Sequence, residues 1–160
     1  MGIQGQYHPV VNINEVIAGL DALIGNFMPI ITDEVTTVAQ DGLALVDRRI
    51  TREGKNAQGN SFPPYTIGYE AQKKRAGRYR GIVDLQFTGD MWKNTRVVSR
   101  SVSGTSVRVV VAGGDKFTQD KIDGNSDLRG DILQVSEKEQ EILIEDSRER
   151  LFGIINRPFE

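Results

Sequence analysis

Hydrophobic residues at helical spacing occupy the first third of the chain. Asn12 has the features of an N-cap, with Glu15 three residues later, and apolar residues follow at intervals of three and four for about three turns. A second stripe begins at Ile31 and continues for about six turns to Gly54, a residue type that commonly ends a helix. Pro29 lies between the two patterns, and we expect it either to kink one helix or to separate two.

Strict alternation of valine with polar residues predicts a β-hairpin over about 95–112. Val98 and Val102 lie on the first strand, and Ser103-Gly104-Thr105 supplies the turn residues. Valines alternate in the same way on the return strand, beginning at Val107. Because both strands are rich in β-branched residues, we expect them to be half-buried.

A shorter alternation precedes the hairpin. Val83, Leu85 and Phe87 alternate with polar residues, which predicts a further strand. Thr88-Gly89-Asp90 should break that strand and lead into one helical turn. This turn carries Met91 and Trp92, which we interpret as core side chains, since large apolar residues dominate core burial.

Two further helices carry their own start signals. Thr66 is expected to cap a short helix that continues to about Ala76. Ser136 and Glu139 form a capping box that opens a closing helix, and Pro158 should end it.

The remaining segments are polar and rich in turn-forming residues. Residues 1–11 are expected to form a flexible arm, and 54–65 and 113–131 to form long loops, the second with one helical turn at 117–122. Helices at the two ends and strands in the middle predict an α+β fold. In this fold an antiparallel sheet that includes the hairpin is packed by the long N-terminal helix and the C-terminal helix. A length of 160 residues predicts a single domain over 1–160.

Composition excludes several classes of protein. The chain is 38% hydrophobic and 26% charged and has no cysteine, which predicts a water-soluble protein of a non-oxidising compartment, made in the cytosol of a cell. No run approaches the roughly 18 apolar residues of a membrane span, so no membrane partner is expected. A formal net charge of −2 gives no long-range attraction for phosphate, so any contact with nucleic acid must be local.

Residues suited to catalysis are few, and we predict no enzyme activity, no cofactor and no metal. His8 lies in the predicted arm, where nothing would orient it as a general base. The acidic segment 115–131 lacks the alternating ligand spacing of a calcium loop, although a metal-assisted hydrolase stays an alternative. Carboxylate pairs on the helices are interpreted as solvated faces. The pairs considered are Asp33-Glu34, Asp120-Asp123 and Glu145-Asp146.

Two neighbouring segments are candidates for interaction. The first contains Phe62, Pro63, Pro64 and Tyr65, whose aromatic rings either anchor the loop on its own domain or insert into a partner. The second is the basic segment 73–80, which would either grip phosphates with a base stacked on its tyrosine or place cations at a helix end. We favour the helix-end interpretation, since the net charge is negative. The residues of the basic segment are Lys73, Lys74, Arg75, Arg78, Tyr79 and Arg80.

The order of these motifs resembles a known family. A glycine-containing loop leads to the Phe62-Pro63-Pro64 step, a short basic helix follows, and Thr88-Gly89 stands ahead of the hairpin. This order is similar to that of the tail-completion or virion-morphogenesis proteins of tailed bacteriophages. The resemblance covers about 54–155. It departs from the family pattern in Gln86-Phe87 before Thr88-Gly89, and in Arg-Gly-Asp at 129–131 where Arg-Pro-Phe is common.

The resemblance implies a structural virion protein at the head-to-tail junction or the end of the tail, made in the cytoplasm of the bacterial host. It implies a homo-oligomeric ring, a hexamer or alternatively a dodecamer, in contact with adjacent neck and tail-tube proteins and in passing with phage DNA. Contacts within such a ring are heterologous. Residues 62–65 and 73–80 are the interaction residues under this reading. The alternative is a nucleic-acid-binding module that uses 73–80.

Overall fold

The computed structural model describes residues 13–156, and its first element is one long helix. Helix α1 spans Ile13–Arg48 and continues into a π-helical turn at Arg49–Glu53. Pro29 therefore lies within a continuous helix. It is exposed, so the Gly25 carbonyl that lacks a proline N–H donor can bond to water instead. The predicted arm, Asn12, His8 and Pro158 lie outside the described residues.

Gly54 ends this helical segment as predicted. Its φ is 64°, and its N–H donates to the Ile50 carbonyl at 3.0 Å. The segment that follows is irregular, as expected of 54–65. It is nevertheless folded onto the protein, because Lys55 and Ser61 form an isolated β-bridge and Phe62 is buried. This loop therefore needs no neighbouring molecule to order it.

The short helices of the middle segment are confirmed. Helix α2 spans Ile67–Arg75, and the Thr66 hydroxyl accepts the N–H of Tyr69 at 3.4 Å. Helix α3 spans Asp90–Asn94 and buries Met91 and Trp92 in the core.

The strand predicted at Val83–Phe87 is wrong. Leu85 has a φ of 48°, outside the extended region, and its N–H donates to the Tyr65 hydroxyl at 2.9 Å rather than to a strand. The alternation does not separate a buried face from an exposed one, because Asp84 is buried like its apolar neighbours.

The predicted hairpin is confirmed, and its two strands are the antiparallel sheet of the described residues. Strand β1 spans Thr95–Ser103 and β2 spans Ser106–Gly113, paired from Thr95↔Gly113 to Ser103↔Ser106 with an irregularity between Val97 and Ser99. Helix α1 packs on both strands, so the fold is α+β as predicted. The half-buried expectation is wrong for the first strand beyond its base, since Val98 and Val102 are exposed.

Most of the loop predicted at 113–131 is a helix. Helix α4 spans Lys116–Arg129, and the Asp115 carboxylate accepts the Thr118 N–H at 2.7 Å as its N-cap. Thr118 and Ile122, four residues apart, are buried on one face. Burial of this face compensates for the low helix propensity of the glycine, asparagine and aspartate residues in the segment.

The C-terminal helix α5 spans Glu137–Asn156 and begins with the predicted capping box. The Ser136 N–H donates to the Glu139 carboxylate at 2.8 Å, and the Glu139 N–H donates to the Ser136 hydroxyl at 3.3 Å. Helix α5 packs on α1. Nine buried apolar side chains, contributed by the C-terminal part of α1 with its π-helical turn and by residues 62–132, form one cluster: Val46, Ile50, Phe62, Val83, Leu85, Met91, Trp92, Ile122 and Ile132.

Replacing Gly54 tests the junction between α1 and the following loop. Alanine there must adopt a left-handed φ, and its Cβ would lie 3.1 Å from the Ile82 Cβ and 3.3 Å from the Val83 carbonyl oxygen. We expect Gly54→Ala to lower the free energy of unfolding by about 2 kcal/mol or more, measured by urea denaturation. Gly59→Ala is the matched control, because Gly59 has a φ of 79° but open space around it. Equal losses for the two variants would contradict the close contact.

Candidate interaction surface

The predicted interaction residues divide into a buried set and an exposed set. Phe62 is only 6% exposed and belongs to the hydrophobic core, so it anchors the loop on its own domain. Tyr65 is half-buried and packs against the same hydrophobic core. Pro63 and Pro64 are exposed. This resolves the two readings of the aromatic residues in favour of an internal anchor.

Lys73 is the most deeply buried charged residue described. It is 0% exposed, and its ammonium pairs with the Asp84 carboxylate. The same ammonium donates to the Gln86 carbonyl at 2.6 Å and to the Tyr65 hydroxyl at 3.4 Å. All of its donors therefore have partners within the protein.

The partners of Lys73 are held by further hydrogen bonds. The Tyr65 hydroxyl donates to the Asp84 carboxylate at 2.9 Å, and the Gln86 N–H donates to the same oxygen at 3.1 Å. Burial and this bond to Asp84 raise the pKa of Tyr65. The ring of Tyr69 stacks edge-on against Tyr65 at 4.9 Å between centroids. The cluster is a structural clamp between α2 and residues 84–86. Lys73 is too deeply buried to reach a phosphate, so the phosphate-binding alternative fails for this residue, which lies in the last turn of α2 as the favoured helix-end interpretation expected.

The exposed cations of the basic segment are less constrained. Lys74 pairs with Glu70 at 2.6 Å and lies 4.9 Å from the Tyr79 ring centroid. Arg78 donates to the Phe87 carbonyl at 2.7 Å and stacks over that ring. Arg75 and Arg80 are exposed. A cavity of about 330 Å³ is lined by Arg78, Arg80 and Lys93 together with Asp84 and residues 86–89.

Two ion pairs align α5 along α1. Arg49 donates to Glu139 at 2.6 Å and to the Gln134 carbonyl at 2.8 Å. At the other end, Arg150 donates to the Glu34 carboxylate at 2.9–3.1 Å. Glu34 is only 7% exposed, so the interpretation of the Asp33-Glu34 pair as a solvated face is wrong for Glu34. These ion pairs show that the two helices lie antiparallel.

An apolar groove lies along the junction of α1 and α5. Its volume is about 570 Å³, and Ile31 and Ile155 both line it. The C-terminal end of α5 is therefore level with about residue 31 of α1. The other apolar residues of the groove are Val35, Val38, Leu143, Ile144, Leu151 and Phe152.

The apolar face of α1 continues past the end of α5, and no element within 13–156 covers it there. Ile17, Leu20, Ile24 and Phe27, which we name the free stripe, follow one another at helical spacing and are 44–72% exposed. The sequence displays this stripe among the apolar positions of the first predicted helix. Its exposure has no signal in the sequence, because it depends on where α5 ends along α1.

Two further features are absent from the described residues. Within 13–156, no three His, Asp or Glu residues come together in a way that would hold a metal ion. No described helix has the length and hydropathy needed to cross a bilayer.

Substitution of Lys73 tests the buried clamp. Lys73→Met leaves the Asp84 carboxylate buried without its cation, so we expect the free energy of unfolding to fall by about 3–5 kcal/mol. Lys74→Met removes an exposed cation one residue away and should leave the denaturation midpoint nearly unchanged. Circular dichroism during urea titration measures both. A similar small effect for the two variants would contradict the clamp.

Comparison with known proteins adds no family to these observations. No family model matches the chain, and neither a curated protein nor a solved structure matches it. A functional assignment therefore depends on the sequence motifs and on the surfaces described above.

Proposed function

We propose that this chain is a structural protein of a tailed-phage virion, which assembles into a ring at the head-to-tail junction or the tail end. The observation that carries the proposal is the apolar surface formed by the free stripe and the groove. The choice of a phage virion family comes from the order of the sequence motifs over 54–155. Adjacent neck and tail-tube proteins are the further partners of this proposal.

The size of the uncovered surface supports assembly. Seven exposed hydrophobic residues belong to the free stripe or line the groove, and their exposed area is on the order of 700 Å², close to one partner's share of a standard protein interface. Soluble monomers rarely expose contiguous apolar patches larger than a few hundred Å². The seven residues are Ile17, Leu20, Ile24, Phe27, Ile144, Phe152 and Ile155.

The Thr88-Gly89 turn of the resemblance has a defined place in the fold. Gly89 has a φ of 85° and caps α3, and the Thr88 hydroxyl bonds to the Asp90 carboxylate at 2.5 Å. The turn therefore leads from the Lys73 clamp into the buried Met91 and Trp92 and then into β1. A sequence motif at this position would maintain the connection between the clamp, the core and the hairpin, which suits a structural protein.

A second candidate function is contact with nucleic acid through the cavity at Arg78, Arg80 and Lys93. All three side chains are exposed cations on one concave surface, and none has a carboxylate partner in a described salt bridge. Such a surface suits a phosphate backbone. Under the first proposal, this would be the passing contact with phage DNA.

Oligomeric state tests the proposed ring. We expect the full chain, analysed by light scattering after gel filtration and by negative-stain microscopy, to form closed assemblies larger than a dimer. The double variant Phe27→Ser/Phe152→Ser should reduce their population at least tenfold, because both side chains belong to the uncovered surface. Phe117→Ser is the control, since Phe117 is 69% exposed on α4. A monomer at all concentrations, alone and with phage neck proteins, would contradict the ring.

Nucleic-acid contact predicts salt-dependent binding at the cationic cavity. The triple variant Arg78→Ser/Arg80→Ser/Lys93→Ser should weaken binding to double-stranded DNA at low salt and lower the slope of log K against log salt by about 2–3. Fluorescence anisotropy measures both quantities. The control Arg100→Ser/Arg108→Ser removes exposed cations from the hairpin instead. Equal losses for the two variants would assign the binding to general charge rather than to the cavity.

A further inference from the structure

The free stripe and the groove are complementary surfaces that one chain cannot bring together. Both lie on the single helix α1, with Leu20 and Val35 about 22 Å apart along its axis at 1.5 Å per residue. The stripe is convex, and the groove between α1 and α5 is concave. The free stripe of one chain therefore cannot cover the groove of the same chain.

We propose that the groove of one molecule binds the free stripe of a second copy of this chain. This inference rests on the proposed self-assembly and names the surface that mediates it. The contact places one helix on the seam of two others and buries the apolar residues of all three.

The pattern of side chains fits helix-on-helix packing. Ile17, Leu20, Ile24 and Phe27 are spaced three, four and three residues apart, the spacing of side chains that insert between those of facing helices. The groove residues Ile31, Val35 and Val38 continue nearly the same spacing on α1. The polar residues at the groove are few, and Glu34 already has a partner in Arg150. A second stripe can therefore enter without leaving a buried charge unpaired.

Cysteine cross-linking tests the contact directly, because the native chain has no cysteine. One batch carries Leu20→Cys or Ile24→Cys in the free stripe, and a second batch of different mass carries Ile144→Cys or Phe152→Cys at the groove. The batches are mixed and treated with a short bis-maleimide. We expect stripe-to-groove products at least fivefold more abundant than stripe-to-stripe products or products with the control Phe117→Cys.

The possible outcomes distinguish failure of the stripe-to-groove contact from failure of the proposed ring. Stripe-to-groove products that extend beyond dimers in the double variant Ile24→Cys/Phe152→Cys support both. The same products confined to dimers support the contact and contradict the ring. Larger assemblies that give no stripe-to-groove product overturn the contact and leave the ring. A Val10→Cys/Phe152→Cys variant that cross-links within one chain, without intermolecular products, also overturns it, because residues 1–12 would then fill the groove.

Discussion

The buried ammonium of Lys73 is the constraint on which the centre of the molecule depends. A buried charge is tolerated only with a partner, and Asp84 supplies it together with the Gln86 carbonyl. To reach Lys73, residues 84–86 leave the extended conformation, with Leu85 at a φ of 48°. This turn brings Val83 and Leu85 into the core and positions Gly89 to open α3. The hairpin begins where α3 ends, so the clamp sets the point from which it extends.

Local signals were sufficient to predict most of the helices and the hairpin. The capping box of Ser136 and Glu139 and the αL cap at Gly54 act within a few residues, so the sequence alone contains their partners. The strand at 83–87 was wrong because a contact between Lys73 and Asp84, eleven residues apart, overrides the alternation. Helix α4 was predicted only as one turn at 117–122, because the stability of the full helix comes from burying Thr118 and Ile122 rather than from propensity.

The candidate interaction residues were predicted less well, for the same reason. An exposed cation and a buried one are indistinguishable in a run such as Lys73-Lys74-Arg75, and the side of α2 that faces Asp84 decides between them. Phe62 is likewise an anchor and not a contact for partners, because the loop folds back on the core. The free stripe on α1 was visible in the sequence, but its exposure depends on where α5 stops.

The unequal lengths of α1 and α5 explain why an apolar surface is left uncovered. Helix α1 has 36 residues and α5 has 20, so α1 is about 24 Å longer at 1.5 Å per residue. The ion pairs at Arg49 and Arg150 fix α5 against the C-terminal part of α1 and prevent it from sliding toward the free end. An amphipathic helix owes most of its stability to the burial of its apolar face. Under the proposed contact, a second molecule would cover the free half of α1, and the folding of that half would be coupled to assembly.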